Sequence, residues 1–267
     1  MDQMFNPQID LTTKTAFVTG ASRGIGLAIA RSLAGYGATV ILAARSSDKI
    51  DHEAALIRAD GGSAHAVACD VSDYETVLAS VEKALSLVEK IDVLVNNAGV
   101  IDPLAHLIDS DPAEWAKAVV VKLKGVYVCM RAILPGMVNS GGGTVINMSS
   151  GAANSDLVGW SHYCSTKAAA KKITEVAHNE LTPHGIRVIG ISPGTVATDM
   201  MAKIRESQIN VVSDLDWGSH IPPEWVGEAV AYLCGPEALE FAGKDFSLKT
   251  PLGRARVGLP AEGATDG

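Results

Sequence analysis

The chain has 267 residues, of which 47% are apolar and only 19% are charged, so it can bury a large core and is not a mainly disordered protein. Its formal net charge of −8 disfavours nucleic acid or an anionic membrane surface as a partner, although a local positive pocket can still hold a small anion. The four cysteines are widely spaced without a CxxC pair, and the polar N-terminus has no signal-peptide pattern, which predicts reduced thiols and a cytoplasmic protein.

Short apolar runs alternate along the chain with longer segments of helical periodicity. The apolar runs predict strands over residues 15–19, 39–44, 63–69, 91–96, 143–148 and 186–191, and a short last strand over 245–248. The helical segments are 24–36, 51–59, 73–88, 112–139, 161–181 and 223–234. Alternation of this kind indicates βαβ units and a parallel sheet, hence an α/β fold.

The whole of residues 1–267 is predicted to form one domain, with its core at about 9–248. Segment 201–221 interrupts the strand–helix rhythm and is a candidate substrate lid, in which Ser213, Gly218 and Ser219 would allow movement. The tail over 251–267 is rich in glycine, proline and alanine, and we expect it to be loosely held.

The first strand leads into a glycine-rich turn and then a helix, with the sequence Thr19-Gly20-Ala21-Ser22-Arg23-Gly24-Ile25-Gly26. Gly20 permits the tight turn, Gly24 lets the backbone approach a pyrophosphate at the helix N-terminus, and Gly26 lets the helix pack close to the sheet. An ordinary glycine-rich turn has similar residues, but the flanking strand and helix favour dinucleotide binding.

The end of the second strand bears on which dinucleotide binds. NAD sites usually place an acidic side chain there for the ribose 2′-hydroxyl, whereas this chain has Ala44 followed by Arg45. Arg23 projects from the glycine turn toward the same region, and two guanidinium groups suit a 2′-phosphate. The alternative is that both arginines are solvated surface residues. The pair favours NADP over NAD.

A tyrosine and a lysine stand four residues apart in Tyr163-Cys164-Ser165-Thr166-Lys167, so they share one face of the predicted helix. A nearby ammonium stabilises tyrosinate, and we therefore expect the Tyr163 pKa to fall and the phenol to become a usable general acid or base. Ser150 follows the fifth strand, at the sheet edge where ligands of such folds bind. Its hydroxyl could hydrogen-bond a substrate oxygen.

These motifs together resemble the classical short-chain dehydrogenase/reductase family over roughly Ile9 to Leu248. Besides the glycine turn, Ser150, Tyr163 and Lys167, the matching pieces are Asp70-Val71, Asn96-Asn97-Ala98-Gly99, Pro193-Gly194 and Thr198. The resemblance implies a Rossmann-type doubly wound domain with helices on both faces of a mostly parallel seven-stranded sheet in the order 3-2-1-4-5-6-7.

The resemblance also implies the reaction and the role of each matching residue. Hydride would pass between a nicotinamide and a carbonyl or secondary alcohol, Tyr163 would move the proton, Ser150 would hold the oxygen, and Lys167 would lower the tyrosine pKa and bond the nicotinamide ribose. The implied cofactor contacts are Gly20, Ser22, Arg23, Gly24, Ile25, Gly26, Arg45, Asp70, Val71, Asn97, Ala98, Gly99, Tyr163, Lys167, Pro193, Gly194, Val196 and Thr198.

The chain departs from the family pattern in two places. The family usually carries a catalytic-tetrad asparagine where this chain has Lys122, seven residues after Trp115. If Lys122 points inward, two ammonium groups approach each other, one or both pKa values fall and the proton relay is altered; the alternative is that Lys122 bends outward. The second departure is Phe246-Ser247-Leu248-Lys249-Thr250-Pro251 in place of an Asp-Gly-Gly turn, which affects C-terminal packing and partner contacts.

The predicted substrate pocket lies above the carboxyl ends of the strands and favours an apolar or cyclic ketone or alcohol. Its candidate lining residues are Ile101, Ala152, Leu157, Trp160, Met200, Met201 and Trp217, although the last three would equally suit plain packing of a surface helix. We expect His162 to be a non-catalytic histidine and Cys164 a packing thiol, because residues adjacent to Tyr163 point to other helix faces. No residue cluster has metal-ligand spacing, so no metal is predicted.

Two functions other than oxidoreduction are alternatives at this point. The chain could be an epimerase or dehydratase that keeps the nicotinamide bound, or a dinucleotide-binding sensor or scaffold without turnover, with Lys122 as the first sign. We also expect a homotetramer or homodimer. The long helices carry apolar residues on more than one face, for example Val126, Val128, Met130 and Ile133.

Overall fold

One seven-stranded parallel sheet organises the molecule. The computed structural model describes residues 9–260, and the sheet has the order β3-β2-β1-β4-β5-β6-β7, as the resemblance implies. Its strands are β1 Thr15–Thr19, β2 Thr39–Ala44, β3 Ser63–Ala68, β4 Val93–Asn96, β5 Gly143–Met148, β6 Ile186–Ser192 and β7 Asp245–Ser247. All six strand pairings are parallel. Parallel strands end at one edge, so the residues that follow them lie together.

Helices cover both faces of this sheet. They are α1 Gly24–Gly35, α2 Ser47–Ala59, α3 Tyr74–Leu85, α4 Pro112–Val119, α5 Gly125–Asn139, α6 Ser161–Leu181, α7 Asp199–Ser207, α8 Pro223–Cys234 and α9 Pro251–Arg256. The start of α4 is fixed by Asp111, whose Oδ1 accepts hydrogen bonds from the amides of Ala113 and Glu114 at 2.7 and 3.0 Å. Pro112 occupies the first turn, where its missing N–H costs nothing.

The core is split between the two faces because successive strand residues point to opposite sides. Val18 of β1 packs on one side with residues of α1 and α8, such as Ile29 and Val226. Phe17 packs on the other side with residues of α3 and α5, such as Val77. The strands are apolar nearly throughout, as expected for a sheet that is buried on both faces.

The predicted continuous helix over residues 112–139 is interrupted once. A wide π turn, Val120–Lys124, joins α4 to α5 and places Lys122 inside the molecule. Such turns insert one extra residue into a helix, and they occur frequently at functional sites.

Two packing expectations need correction. Val126, Val128, Met130 and Ile133 are all buried in the core beside the sheet, so none of these four is free to contact a second subunit. The tail is not loose over its first part, because α9 is capped by Thr250 and the following Val257 and Leu259 are buried in the main core. The rest of the expected loose tail, residues 261–267, lies outside the described residues.

The structure also refines the segment after β6. Residues 201–221 are not wholly irregular, because α7 spans the first of them and a short helical turn forms at Trp217–Ser219. Across residues 9–260, none of the helices has the length and apolar character needed to cross a bilayer.

Gly190 provides a test of the pairing between β6 and β7. It lies opposite Asp245, and a Cβ at this position would overlap the Asp245 carboxylate. We expect Gly190→Ala to push that carboxylate from its hydrogen bond with Ser149 and to lower the free energy of unfolding by about 1–3 kcal/mol. Urea denaturation measures the loss. In an Asp245→Ala background most of this cost should disappear, and an equal cost in both backgrounds would contradict the packing.

Candidate active site

The glycine turn after β1 is tied to the end of β4 by a short hydrogen-bond network. The Thr19 hydroxyl accepts from the amides of Asn97 and Ala98 at 3.0 and 3.1 Å and donates to the Val95 carbonyl at 3.2 Å. The Asn97 side-chain amide donates to the carbonyls of Thr19 and Gly20 at 2.9 and 3.3 Å. These bonds fix the turn on the sheet edge before any ligand binds.

The turn has the close approaches that a dinucleotide site requires. Gly20 has a φ of +67°, and a Cβ there would lie 2.9 Å from Ala98 Cα. A Cβ on Gly26 would overlap the Gly20 carbonyl oxygen. These two positions therefore need glycine, and the turn leads into the N-terminus of α1, where backbone amides and the helix dipole favour a pyrophosphate. The residues present fit a dinucleotide.

The two arginines of the predicted 2′-phosphate site are both exposed. Arg23 precedes α1 and its Nη1 lies 3.2 Å from Asp199 Oδ2, with 69% of its side chain exposed. Arg45 follows β2 and is also exposed. The sequence pattern did not predict that Asp199 would lie beside Arg23.

The remaining predicted cofactor positions lie along the same edge. Asp70 accepts from the amide and hydroxyl of Ser72 at 2.9 and 2.7 Å, which orders the turn after β3 beside the buried Val71. Thr198 caps α7, and Val196 forms a bridge with Ile221. The structure therefore gathers the predicted residues after β1, β3, β4 and β6 at one edge.

A polar chain through the sheet positions the helix that carries Tyr163. The side-chain amide of Asn96 on β4 donates to Asn147 Oδ1 at 2.8 Å, and the Asn147 amide donates to Thr174 Oγ1 at 2.9 Å. Thr174 lies on α6 and is buried. Because buried polar groups are costly when unpaired, these bonds define the register of α6 against β5.

Tyr163 and Ser150 meet at the end of β5. Ser150 accepts a hydrogen bond from the Ala152 amide at 3.2 Å, and its hydroxyl is near enough to the Tyr163 phenol to lower the pKa of that group. Burial raises the pKa of Tyr163, and the influence of Ser150 only partly opposes this rise. The expected fall in the tyrosine pKa is therefore wrong for this structure, since desolvation outweighs the influence of Ser150.

Lys167 lies one helical turn after Tyr163, as its spacing predicts. Its Nζ donates to the Met148 carbonyl at 2.5 Å and lies 5.6 Å from the centre of the Tyr163 ring. Burial lowers the pKa of Lys167 to about 8, while the Asp245 carboxylate acts in the opposite direction. Part of the Lys167 population is therefore neutral near physiological pH.

Lys122 points inward, which excludes the outward alternative. Only 4% of it is exposed, and its Nζ lies 4.6 Å from the centre of the Tyr163 ring. Burial, together with the charge of Lys167, lowers the pKa of Lys122 to about 7. The approach of two ammonium groups and the fall of both lysine pKa values agree with the inward prediction.

Sequence reasoning missed the side chain that contacts Lys122. His162 Nδ1 lies 2.7 Å from Lys122 Nζ, and His162 Nε2 lies 2.8 Å from the carbonyl oxygen of Pro103. His162 was predicted to be non-catalytic because it is adjacent to Tyr163 and lies on another face of the helix. That face points toward the neighbouring helical segment, which carries Lys122. No spacing rule would have paired residues that are 40 positions apart.

Asp245 is a second residue that the sequence did not single out. Its Oδ2 accepts from Ser149 Oγ at 2.7 Å, and its Oδ1 is buried without a hydrogen-bond partner. Its charge acts on Lys167. The available signals were an aspartate at the start of the short last strand and a glycine, Gly190, in the strand beside it.

An apolar cluster adjoins Tyr163 on the outer side of the sheet edge. Six of the seven predicted lining residues are in it, namely Ile101, Ala152, Leu157, Trp160, Met200 and Met201. Trp217 is not; it is 39% exposed and its ring packs edge-on against His220. The Trp160 ring lies edge-on to Tyr163 at 5.2 Å, and its indole N–H is buried without a partner.

Segment 201–221 borders this cluster. A Cβ on Gly159 would overlap the Ile209 side chain, and the Asn210 side chain donates to the Val158 carbonyl at 2.8 Å. Ser213 is buried rather than free, so it does not supply the mobility expected of it. Among residues 9–260, no three His, Cys, Asp or Glu side chains are grouped as metal ligands would be.

Known proteins share both this sequence pattern and this fold. The family model for the short chain dehydrogenases matches residues 14–209. The chain belongs to the short-chain dehydrogenase family. Short-chain reductase protein NovJ of Streptomyces niveus is 35% identical over 237 residues, which cover 86% of this chain and 90% of that protein.

Two further members of the family extend the comparison. The 7alpha-hydroxysteroid dehydrogenase of Escherichia coli K12 is 31% identical over 248 residues, covering 90% of this chain and 95% of that protein. The crystal structure of a short-chain type dehydrogenase/reductase from Mycobacterium marinum superimposes with a TM-score of 0.82 at 31% identity, covering 89% of this chain and 94% of the other. Family membership makes this chain an NAD(P)-dependent oxidoreductase that acts on alcohol or carbonyl groups of small molecules.

The buried Lys122 gives a prediction for the pH dependence of stability. Its pKa is about 7 in the folded chain and 10.5 when unperturbed, so between these values the unfolded chain binds more protons. The wild-type free energy of unfolding should therefore rise relative to that of Lys122→Met as pH increases from 7 to 9.5, by up to about 1.4 kcal/mol per pH unit. Urea midpoints at four pH values measure this. A stability difference that does not change with pH would contradict the buried cation.

Proposed function

We propose that this chain is an NADP(H)-dependent oxidoreductase that exchanges a hydride between the nicotinamide and a carbonyl or secondary alcohol, with Tyr163 as general acid and base. The observation that carries the proposal is the position of the Tyr163 phenol. It lies beside the Ser150 hydroxyl, has the Lys167 ammonium 5.6 Å from its ring, and adjoins an apolar cluster at the carboxyl edge of the sheet.

Each polar group has one task in this scheme. In ketone reduction the Ser150 hydroxyl donates a hydrogen bond to the substrate oxygen, and Tyr163 gives its phenolic proton to that oxygen as negative charge develops. In alcohol oxidation the same proton returns to the tyrosinate. The Lys167 ammonium stabilises tyrosinate through space, and its bond to the Met148 carbonyl holds it there.

The cofactor would lie along the carboxyl edge, with its pyrophosphate on the glycine turn between Gly20 and Gly26. Asp70 and Val71 would contact the adenine, and Asn97 to Gly99 would line the middle of the site. Val196 and Thr198 would hold the carboxamide end. The chemistry that the bound nicotinamide supplies is hydride exchange with the substrate carbon. Arg23 and Arg45, without an acidic residue at the end of β2, support a 2′-phosphate and hence NADP.

The cluster beside Tyr163 supports an apolar or cyclic substrate. Beside Tyr163 and Cys164 it consists of aliphatic, methionine and tryptophan side chains, and the buried indole N–H of Trp160 has no hydrogen-bond partner. One relative is named a 7alpha-hydroxysteroid dehydrogenase, which agrees with a cyclic alcohol. Segment 201–221 would act as a lid over this cluster, within a single domain spanning the chain.

The setting of the protein is also part of the proposal. Free cysteines, two of them fully buried, fit a reducing cytoplasm. A homotetramer or homodimer is supported by exposed apolar side chains on two helices, Tyr127 on α5 and Val176 on α6. The four core residues of α5 named above take no part in this surface.

A sensor or scaffold without turnover is the second candidate function, and Lys122 at the usual asparagine position is the observation in its favour. An epimerase or dehydratase is a third. Absorbance at 340 nm separates the oxidoreductase from both, because only net oxidoreduction consumes NADPH in the presence of a panel of cyclic and aliphatic ketones. Tight NADPH binding with no consumption would favour the sensor or the epimerase or dehydratase over the oxidoreductase.

Replacement of the phenol tests the proposed acid. We expect Tyr163→Phe to lower kcat/KM for the best ketone by about 10²-fold or more, because the variant keeps the ring and loses only the proton donor. NADPH binding, followed by fluorescence, should change little. As a control, Tyr127→Phe removes a hydroxyl from an exposed tyrosine outside the site and should retain activity. Full activity in Tyr163→Phe would refute the scheme.

Replacement of Arg45 tests the choice of cofactor. Since a charge-assisted bond contributes about 1.5–3 kcal/mol, Arg45→Ala should raise the KM for NADPH by roughly 10-fold or more and leave the KM for NADH almost unchanged. Arg31→Ala is the matched control, because Arg31 is an exposed arginine that pairs with Glu53 away from the glycine turn. Equal effects on the two cofactors would show that Arg45 does not contact a 2′-phosphate.

A further inference from the structure

The contact between Lys122 and His162 assigns a direction to each hydrogen bond. The Pro103 carbonyl can only accept, so His162 Nε2 carries the proton in their 2.8 Å hydrogen bond. Neutral imidazole then presents the unprotonated Nδ1 to Lys122 Nζ at 2.7 Å, and the lysine donates. Burial and the Lys122 charge lower the pKa of His162, which keeps the ring neutral.

Both partners are enclosed. His162 is 1% exposed and Lys122 is 4% exposed, so neither can satisfy its polar atoms with bulk water. A buried ammonium without an acceptor is strongly unfavourable, and a long lysine side chain would relieve this by turning to solvent. His162 supplies the acceptor that makes the inward position of Lys122 tenable.

We propose that His162 is a positioning residue that holds the Lys122 amine beside Tyr163 and Lys167, so that Lys122 exchanges a proton with the active site during turnover. This inference rests on the proposed oxidoreductase function. In ketone reduction the Tyr163 O–H bond breaks and its proton goes to the substrate oxygen. One Nζ–H proton of Lys122 then passes through an intervening water to the tyrosinate oxygen and restores the phenol, and the amine regains a proton from solvent when the site opens for product release. An asparagine at this position has no ionisable proton to supply.

The titratable and charged groups around Lys122 and His162 come from α6, from the segment before α4, from α7 and from β7. On α6, Lys122 faces Tyr163, Cys164 and Lys167 in addition to His162. Asp102, in the segment before α4, acts on His162 and is itself paired with Lys203 of α7 at 2.6 Å. Asp245 of β7 acts on Lys167.

The pKa of Lys122 is lowered to about 7, and the pKa of the neighbouring Lys167 is lowered to about 8. Lys122 is therefore the group placed to change protonation state closest to neutral pH.

The pH dependence of kcat for ketone reduction tests the proposal. In the wild type, kcat should fall as pH rises through about 7, where the Lys122 ammonium is lost. In Lys122→Asn and in His162→Leu this decline should be absent, while the KM for the ketone stays within about twofold. His162→Asn retains an amide oxygen that can accept from Lys122 and should restore the decline. His178→Leu, on the same helix but away from the site, is the control.

A double variant separates positioning from a general packing role. If His162 acts only through Lys122, then Lys122→Asn and Lys122→Asn/His162→Leu should have the same pH profile. The proposal is overturned if His162→Leu keeps the wild-type decline, if His162→Asn fails to restore it in a folded protein, or if the double variant has a different profile from Lys122→Asn.

A measurement that needs no substrate distinguishes failure of this inference from failure of the proposed function. Lys122 makes the free energy of unfolding rise between pH 7 and 9.5. This rise should be lost in His162→Leu, because the released lysine turns to solvent. It should be retained in His162→Asn. An undiminished rise in His162→Leu would show that His162 does not hold Lys122, whether or not any ketone is reduced.

Discussion

Two lysine ammonium groups beside one phenol, Lys122 buried and Lys167 partly buried, are the constraint around which this site is arranged. Removing Lys122 and Lys167 from water is costly, and their mutual repulsion adds to that cost. Each has one acceptor that makes the arrangement possible, His162 for Lys122 and the Met148 carbonyl for Lys167. Both lysines are therefore held in place and easily deprotonated, a combination useful in proton transfer near neutral pH.

The sheet provides the positions that this chemistry needs. The chain of hydrogen bonds from Asn96 through Asn147 to Thr174 sets α6 against β5, and α6 carries Tyr163 itself together with His162 and Lys167. The π turn before α5 brings Lys122 to the same place from the neighbouring helix. Because parallel strands end at one edge, the glycine turn after β1 lies beside these groups.

The strands and the main site residues could be predicted from the sequence because they follow local rules, whereas the strand order was implied by the family resemblance. Periodicity gave the strands, and Tyr163, Lys167 and the glycine turn have fixed spacings. The contact of His162 with Lys122 could not be predicted, since it joins two helices through side chains. The tyrosine pKa was misjudged for the same reason: burial depends on the whole surrounding structure, whereas the spacing shows only the nearby lysine.

The ionisation of the two lysines in the cofactor-free protein tests this account most directly. In protein labelled with 13C at lysine Cε, a pH titration by NMR follows each amine, and Lys122→Asn and Lys167→Met assign the two signals. Midpoints near 7 for Lys122 and near 8 for Lys167 are expected, well below the ordinary lysine value of 10.5. If both signals titrate near 10.5, the two amines are not withdrawn from water beside Tyr163, and the arrangement described for this site is wrong.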